Sequence, residues 1–151
     1  MKILLAIDDS KFSDAVIAAT ITEAKAQQGE VRVLYVVEPM PLYVDGGSPN
    51  LSDVILKAER KHAEAITEKV VERLRAARVK ATSAIETGNP KSMIVDVARD
   101  WGADLVIVGS RGRTGLDRFL MGSVSEAVAR HAPCSVQIVR IAKARKKTRK
   151  S

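Results

Sequence analysis

At 151 residues the chain has the length of one ordinary domain, and with 46% apolar but only 3% aromatic residues its core must be built from Val, Ile, Leu and Ala. No apolar run approaches the roughly 18 residues that span a bilayer, and Asp8-Asp9 interrupts the apolar start too early for a signal peptide, so a mature cytoplasmic protein without a membrane partner is expected. The net charge of +7 resides in a tail: Lys143, Arg145, Lys146, Lys147, Arg149 and Lys150 have no acid among them, and the rest balances 19 basic against 18 acidic residues, so nucleic acid is not the expected partner.

Ile3 to Ile7 is a short apolar run that predicts a buried strand closed by a turn at Asp8-Asp9-Ser10. Ser10 or Ser13 suits the cap of an Ala-rich helix that buries Phe12, Val16 and Ala19 and stops at Gly29. Val31 to Val37, almost continuously apolar, predicts a second strand covered on both faces. Glu38 to Asn50 carries three prolines and two glycines and predicts a long connection, either a functional loop or a solvated one. A helix follows from Leu51 to about Arg78, with Val54, Ala58, His62, Ala65, Ile66, Val70 and Leu74 at helical spacing as its buried stripe. His62 has no second ligand at metal-binding spacing and is assigned a structural role.

Lys80 to Ile85 alternates as an edge strand, and Gly88-Asn89-Pro90 opens a helix with Asn89 as cap and Pro90 in its first turn. Met93, Ile94, Val97, Ala98 and Trp101 form that helix's buried face, with Trp101 as a core anchor, and Gly102 ends it. Leu105 to Val108 predicts a fourth strand, Ser123 to His131 a helix, and Ser135 to Ile141 a fifth strand. Cys134, the single cysteine, excludes an intrachain disulfide and suits a small buried hydrophobe. Strands alternating with helices imply an α/β fold with a parallel sheet and right-handed crossovers.

The chemistry is concentrated in Gly109 to Glu126, GSRGRTGLDRFLMGSVSE. Gly109 ends a buried strand, Gly112 and Gly115 free the backbone to turn, and Gly122-Ser123 opens a helix. Glycine lets the main chain approach a phosphate oxygen, and a helix start offers unpaired N–H donors. Ser123 and Ser125 add hydroxyls, and Arg111 and Arg113 add positive charge. Most pieces also have a plainer reading: Ser123-x-x-Glu126 is a capping box, and the glycines suit a simple turn. No lysine precedes Ser123, which excludes a Walker loop, and the glycines follow the fourth strand, which excludes a dinucleotide fingerprint.

Gly109-x-x-Gly112, nine residues, then Gly122-Ser123 matches G-x-x-G-(nine)-G-[ST], the nucleotide motif of the universal stress protein family. GSRGRTG, GSVSE, HAPCSV and the opening ILLAIDDS resemble that family too, over residues 1 to 141, leaving 142 to 151 as a basic, solvated tail. The resemblance implies an open, Rossmann-like five-stranded sheet of order 3-2-1-4-5 with helices on both faces, as in adenine nucleotide alpha hydrolase-like proteins. It also implies ATP across the carboxyl ends of strands one and four, where open parallel sheets place ligands.

Residue by residue, the resemblance puts Ala6, Asp8 and Val36 at the adenosine, and Gly109, Gly112, Gly122 and Ser123 at the phosphates. Val124 and Ser125 extend those contacts, and Arg111 stands at a variable position often held by histidine. Asp9 departs from the family's usual glycine and brings a second carboxylate, able to repel phosphate or to help hold a metal ion. Mg²⁺ is the implied companion of the phosphates, and a homodimer through Ser135–Ile141 the implied assembly. A regulatory, ATP-binding stress-response protein is expected. No residue set suggests efficient catalysis. Slow ATP hydrolysis, autophosphorylation and binding of another adenine nucleotide such as cyclic AMP are the alternatives.

Overall fold

The computed structural model describes residues 1–9, 13–39, 49–110 and 121–140. Chain order runs β1 (Lys2–Ile7), α1 (Ser13–Gln27), β2 (Glu30–Val37), α2 (Pro49–Ala76), β3 (Lys80–Thr87), α3 (Pro90–Trp101), β4 (Leu105–Gly109), α4 (Ser123–His131) and β5 (Ser135–Val139). The strands form one parallel sheet of order β3-β2-β1-β4-β5, as the resemblance implies. Parallel neighbours need long crossovers, and each helix supplies one.

Alternation along the strands divides the core in two. Ile3 and Leu5 of β1 join Val31 and Val33 of β2 and Ile107 of β4 beneath α1 and α2. Leu4, Leu34 and Val106 point the other way, beneath Ile94 and Ala98 of α3 and Val128 of α4. Helices therefore cover both faces, which explains why β1, β2 and β4 read as continuous apolar runs. β3 lies at one edge of the sheet and β5 at the other.

Several sequence expectations need correction. α1 does not stop on Gly29. Gln28 takes the left-handed conformation at φ 48°, and Gly29 then donates its N–H to Ala24 O at 2.8 Å. Gly29 is needed for close approach instead, because a Cβ there would lie 2.9 Å from Ile3 Cδ1 and 3.2 Å from Met1 O. α2 begins at Pro49, inside the stretch expected as a loop, and ends at Ala76. Its predicted stripe holds only in its second half. Val70 and Leu74 are buried with Ala63, Thr67 and Val71, whereas Ala58, His62 and Ala65 are exposed and Val54 is 61% exposed. The cause is helix geometry: each four-residue step overshoots a full turn by about 40°, so Val54 and Leu74 lie about 200° apart around the axis.

α3 follows expectation. Asn89 Oδ1 accepts the Lys91 N–H at 3.0 Å, Pro90 opens the helix, and Gly102 ends it in the left-handed region at φ 75°. Trp101, expected as a core anchor, is only half-buried. It packs against the second core cluster while Arg32 Cζ stands 4.4 Å and Lys2 Nζ 5.5 Å from its ring centroid, a cation–π stack at the amino edge of the sheet. β5 reaches Val139, and Ser10, Phe12 and Ile141 lie outside the described residues.

Candidate functional site

β1 sits between β2 and β4, and the chain leaves β1 through α1 on one face of the sheet and β4 through α4 on the other. Such a reversal opens a crevice at the carboxyl ends of the strands. β1 ends at Ile7, level with Tyr35 of β2, and the half-buried Asp8 follows at that edge. Ala6 and Val36 are half-buried on one sheet face, and both pack against the second core cluster, as does Val124 of α4. Ala6 and Val36 of the predicted adenosine side and Val124 of the predicted phosphate side thus lie on one face of the sheet.

The phosphate side is organised by the main chain. Gly109 ends β4 level with Val139 of β5. The next residue ties three segments together: Ser110 N–H donates to Val139 O at 2.9 Å, and Ser110 O accepts from Gly122 N–H at 2.9 Å. Gly122 is the N-cap of α4, and its carbonyl receives the Glu126 N–H at 3.0 Å and the Ser125 hydroxyl at 2.9 Å. The donors remaining at this helix start are the N–H groups of Ser123, Val124 and Ser125, which have no acceptor within the helix. They coincide with the positive end of its dipole.

Two expectations change here. The Ser123–Glu126 capping box does not form, because α4 starts at Ser123 itself, one position past the cap, and Gly122 brings no capping side chain. Glu126 instead pairs with Arg130 at 3.0 Å, one turn on, and the Ser123 side chain is exposed. Ser125 is buried with its hydroxyl donated to Gly122, so its share in an anion site is its N–H. Arg111 and Gly112 lie outside the described residues.

A contact missed in the sequence lies at the same edge. His62 Nε2 of α2 is 2.9 Å from Asp9 Oδ2, with side chains 57% and 52% exposed. The residues are 53 positions apart, and no spacing rule connects them. The pair gives the extra carboxylate beside Asp8 a partner within the protein. Among the described residues no group of three or more metal-ligating side chains occurs. Cys134 stands away from this site, at the amino edge before β5, where burial and then the nearby Asp104 carboxylate push its thiol pKa up. Both effects favour the unreactive thiol over the thiolate.

The profile of the universal stress protein family matches residues 1–140. A universal stress protein of Methanocaldococcus jannaschii, MJ0531, is 35% identical over 141 residues, covering 92% of this chain and 81% of its own length. The solved universal stress protein UspA of Lactobacillus plantarum superimposes with a TM-score of 0.83 at 27% identity, over 93% of this chain and 97% of that one. More distant structures share the fold. One from Archaeoglobus fulgidus is a complex with dAMP (TM-score 0.66, 21% identity, 92% and 97% of the two chains). One from Arabidopsis thaliana has AMP bound (TM-score 0.69, 20% identity, 94% and 93% covered). A further universal stress protein is in complex with cAMP (TM-score 0.69, 22% identity, 93% and 96% covered). Among the described residues no helix is long and apolar enough to cross a membrane.

Proposed function

The chain belongs to the universal stress protein family, and from that premise we propose that it binds an adenine nucleotide, ATP foremost, at the carboxyl edge of β1 and β4. One observation carries the reading: Ser110 locks the end of β4 to the start of α4, leaving the N–H groups of Ser123, Val124 and Ser125 beside the crevice at the strand ends. Asp8 takes the ribose hydroxyls or the adenine amine, and Ala6 and Val36 supply an apolar wall for the base. Gly109 and Gly122 keep side chains out of the phosphate path, with Arg111 and Gly112 completing the loop.

Mg²⁺ accompanies the phosphates in this reading. Among the described residues no group of three or more metal-ligating side chains occurs; a bound Mg²⁺ would supply charge neutralisation at the phosphates. The protein acts as a nucleotide-dependent regulator of the stress response in the cytoplasm, as a homodimer through Ser135–Ile141; among the described residues β5 is an edge strand, and an edge must be paired or protected. Chemistry is secondary to binding, and hydrolysis or autophosphorylation would be slow. Relatives in complex with AMP, dAMP and cAMP favour a second reading, in which a monophosphate is the resident ligand.

Calorimetric titration of nucleotide-free protein with Mg-ATP, AMP and cyclic AMP tests both readings. Saturable uptake of one nucleotide per chain, tightest for ATP, is expected. Tighter AMP or cyclic AMP binding selects the second reading, and a folded chain that takes up none of them ends both. Sedimentation at micromolar concentration checks the dimer, and a monomer mass there overturns it.

A further inference from the structure

Two adjacent carboxylates, Asp8 and Asp9, follow β1. Alternation puts Ala6 on the face covered by α3 and α4, where it packs against the second core cluster with Val36 and Val124. Ile7 points the other way and packs with Tyr35, Val37 and Ala63, beneath α2. Asp9, two residues past Ile7, turns to α2 as well, because its Oδ2 lies 2.9 Å from His62 Nε2. The N–H groups at the start of α4 belong to the opposite face. His62 itself is held by its neighbours. Ala63, fully buried, seats this turn of α2 against Tyr35 and Val37 at the end of β2. Arg60 Nη1 donates to Thr87 Oγ1 at 3.0 Å, where β3 ends. Within one turn, residues 60 to 63, α2 is therefore tied to the carboxyl ends of β3, β2 and, through His62, β1. Exposed pairs such as Asp9–His62 contribute little to fold stability, so the effect of this one lies in where it holds the charge.

We propose that His62 is a positioning residue for the nucleotide site: it keeps the Asp9 carboxylate on the α2 face, so that phosphates at the start of α4 are not opposed by a second carboxylate next to Asp8. The proposal rests on the adenine-nucleotide reading above. Without the imidazole, the Asp9 side chain is free to turn toward the crevice, and its charge disfavours ligands in proportion to their phosphates. At a separation of about 7 Å in water at physiological salt, one unit charge lowers affinity about 1.5-fold for each phosphate charge. AMP carries about two negative charges near pH 7 and ATP about two more. The loss is therefore about twofold for AMP and about fivefold for ATP, with none for adenosine, and dilute buffer enlarges the spread.

The test compares the full chain with His62→Ala, His62→Gln, Asp9→Asn and the double variant His62→Ala with Asp9→Asn, each titrated calorimetrically with adenosine, AMP and ATP in magnesium-free buffer. Support is a loss of affinity in His62→Ala that is largest for ATP, smaller for AMP and absent for adenosine. The double variant reverses that loss, and His62→Gln, whose amide keeps a donor near the place of Nε2, shows less of it. An unchanged ATP-to-adenosine ratio in His62→Ala overturns the proposal and leaves the binding site standing. A loss that Asp9→Asn does not reverse overturns it in favour of a direct contact between His62 and the ligand. A fall in ATP affinity in Asp9→Asn alone overturns it by making Asp9 itself a contact. Failure of the full chain to bind any of the three ligands removes the reading beneath it, and the proposal with it. Both side chains are more than half exposed, so every variant should keep the urea midpoint of the full chain, which verifies that it is folded.

Discussion

Gln28 holds a backbone conformation that an L side chain resists, at φ 48°, and so does Arg78 at φ 63°. Each closes a helix, α1 and α2, where glycine is the usual solution. Left-handed backbone costs a non-glycine residue about 1–2 kcal/mol, and glycine's extra freedom in the unfolded chain returns about 0.4–1 kcal/mol of that. Gln28→Gly should therefore raise stability by about 0.5–1 kcal/mol in urea unfolding. Gly102→Ala should do the opposite by about 1 kcal/mol, since φ is 75° and no atom within 4 Å makes the loss anything but backbone. At the carboxyl edge, where we propose the nucleotide binds, the corresponding single-residue test is Asp8→Ala. Losing a hydrogen bond to a charged group costs about 1.5–3 kcal/mol, so adenine-nucleotide affinity should fall at least about tenfold while the urea midpoint stays put. Unchanged affinity would remove Asp8 from the site.

At the scale of elements, α2 separates what periodicity reveals from what it hides. Its apolar residues recur every four positions, which suffices to identify a helix, and the drift of that repeat around the axis decides which half is buried. Leu74→Ala should cost about 2–5 kcal/mol, as buried Leu truncations do, whereas Val54→Ala should stay within about 0.5 kcal/mol. Equal losses in urea unfolding would restore the single stripe. α4 repeats the lesson with polar residues. The Ser123-x-x-Glu126 spacing fits a capping box, but the box depends on the helix starting one residue later than Ser123, and Gly122 takes the cap instead. Asn89-Pro90 at α3 was legible because the cap and the φ-restricted first residue stand side by side and leave one register. The Asp9–His62 contact was not, because it joins α2 to the end of β1 and requires the tertiary fold to exist first. Of the candidate site, Gly109 at the end of β4 and the helix start at Gly122-Ser123 were readable from local chemistry. Gathering Ala6, Val36 and Val124 on one face took the family resemblance and the sheet order.

For the whole molecule, strand order follows from connections that local signals cannot encode. Apolar runs at β1, β2 and β4 require covering on both faces, which the alternating elements supply, yet several orders would satisfy them; the resemblance selected β3-β2-β1-β4-β5. That order has an optical consequence. The chain's single tryptophan lies at the amino edge of the sheet, against Arg32 and Lys2, while the nucleotide is assigned to the carboxyl edge. Its emission reports whether β1, β2 and α3 are assembled, and it is blind to events at the far edge. Fluorescence should change sharply on denaturation and stay flat through a saturating nucleotide titration. The protein thus carries a built-in unfolding gauge, one that can measure ligand-induced gains in midpoint without mistaking binding itself for a change in fold.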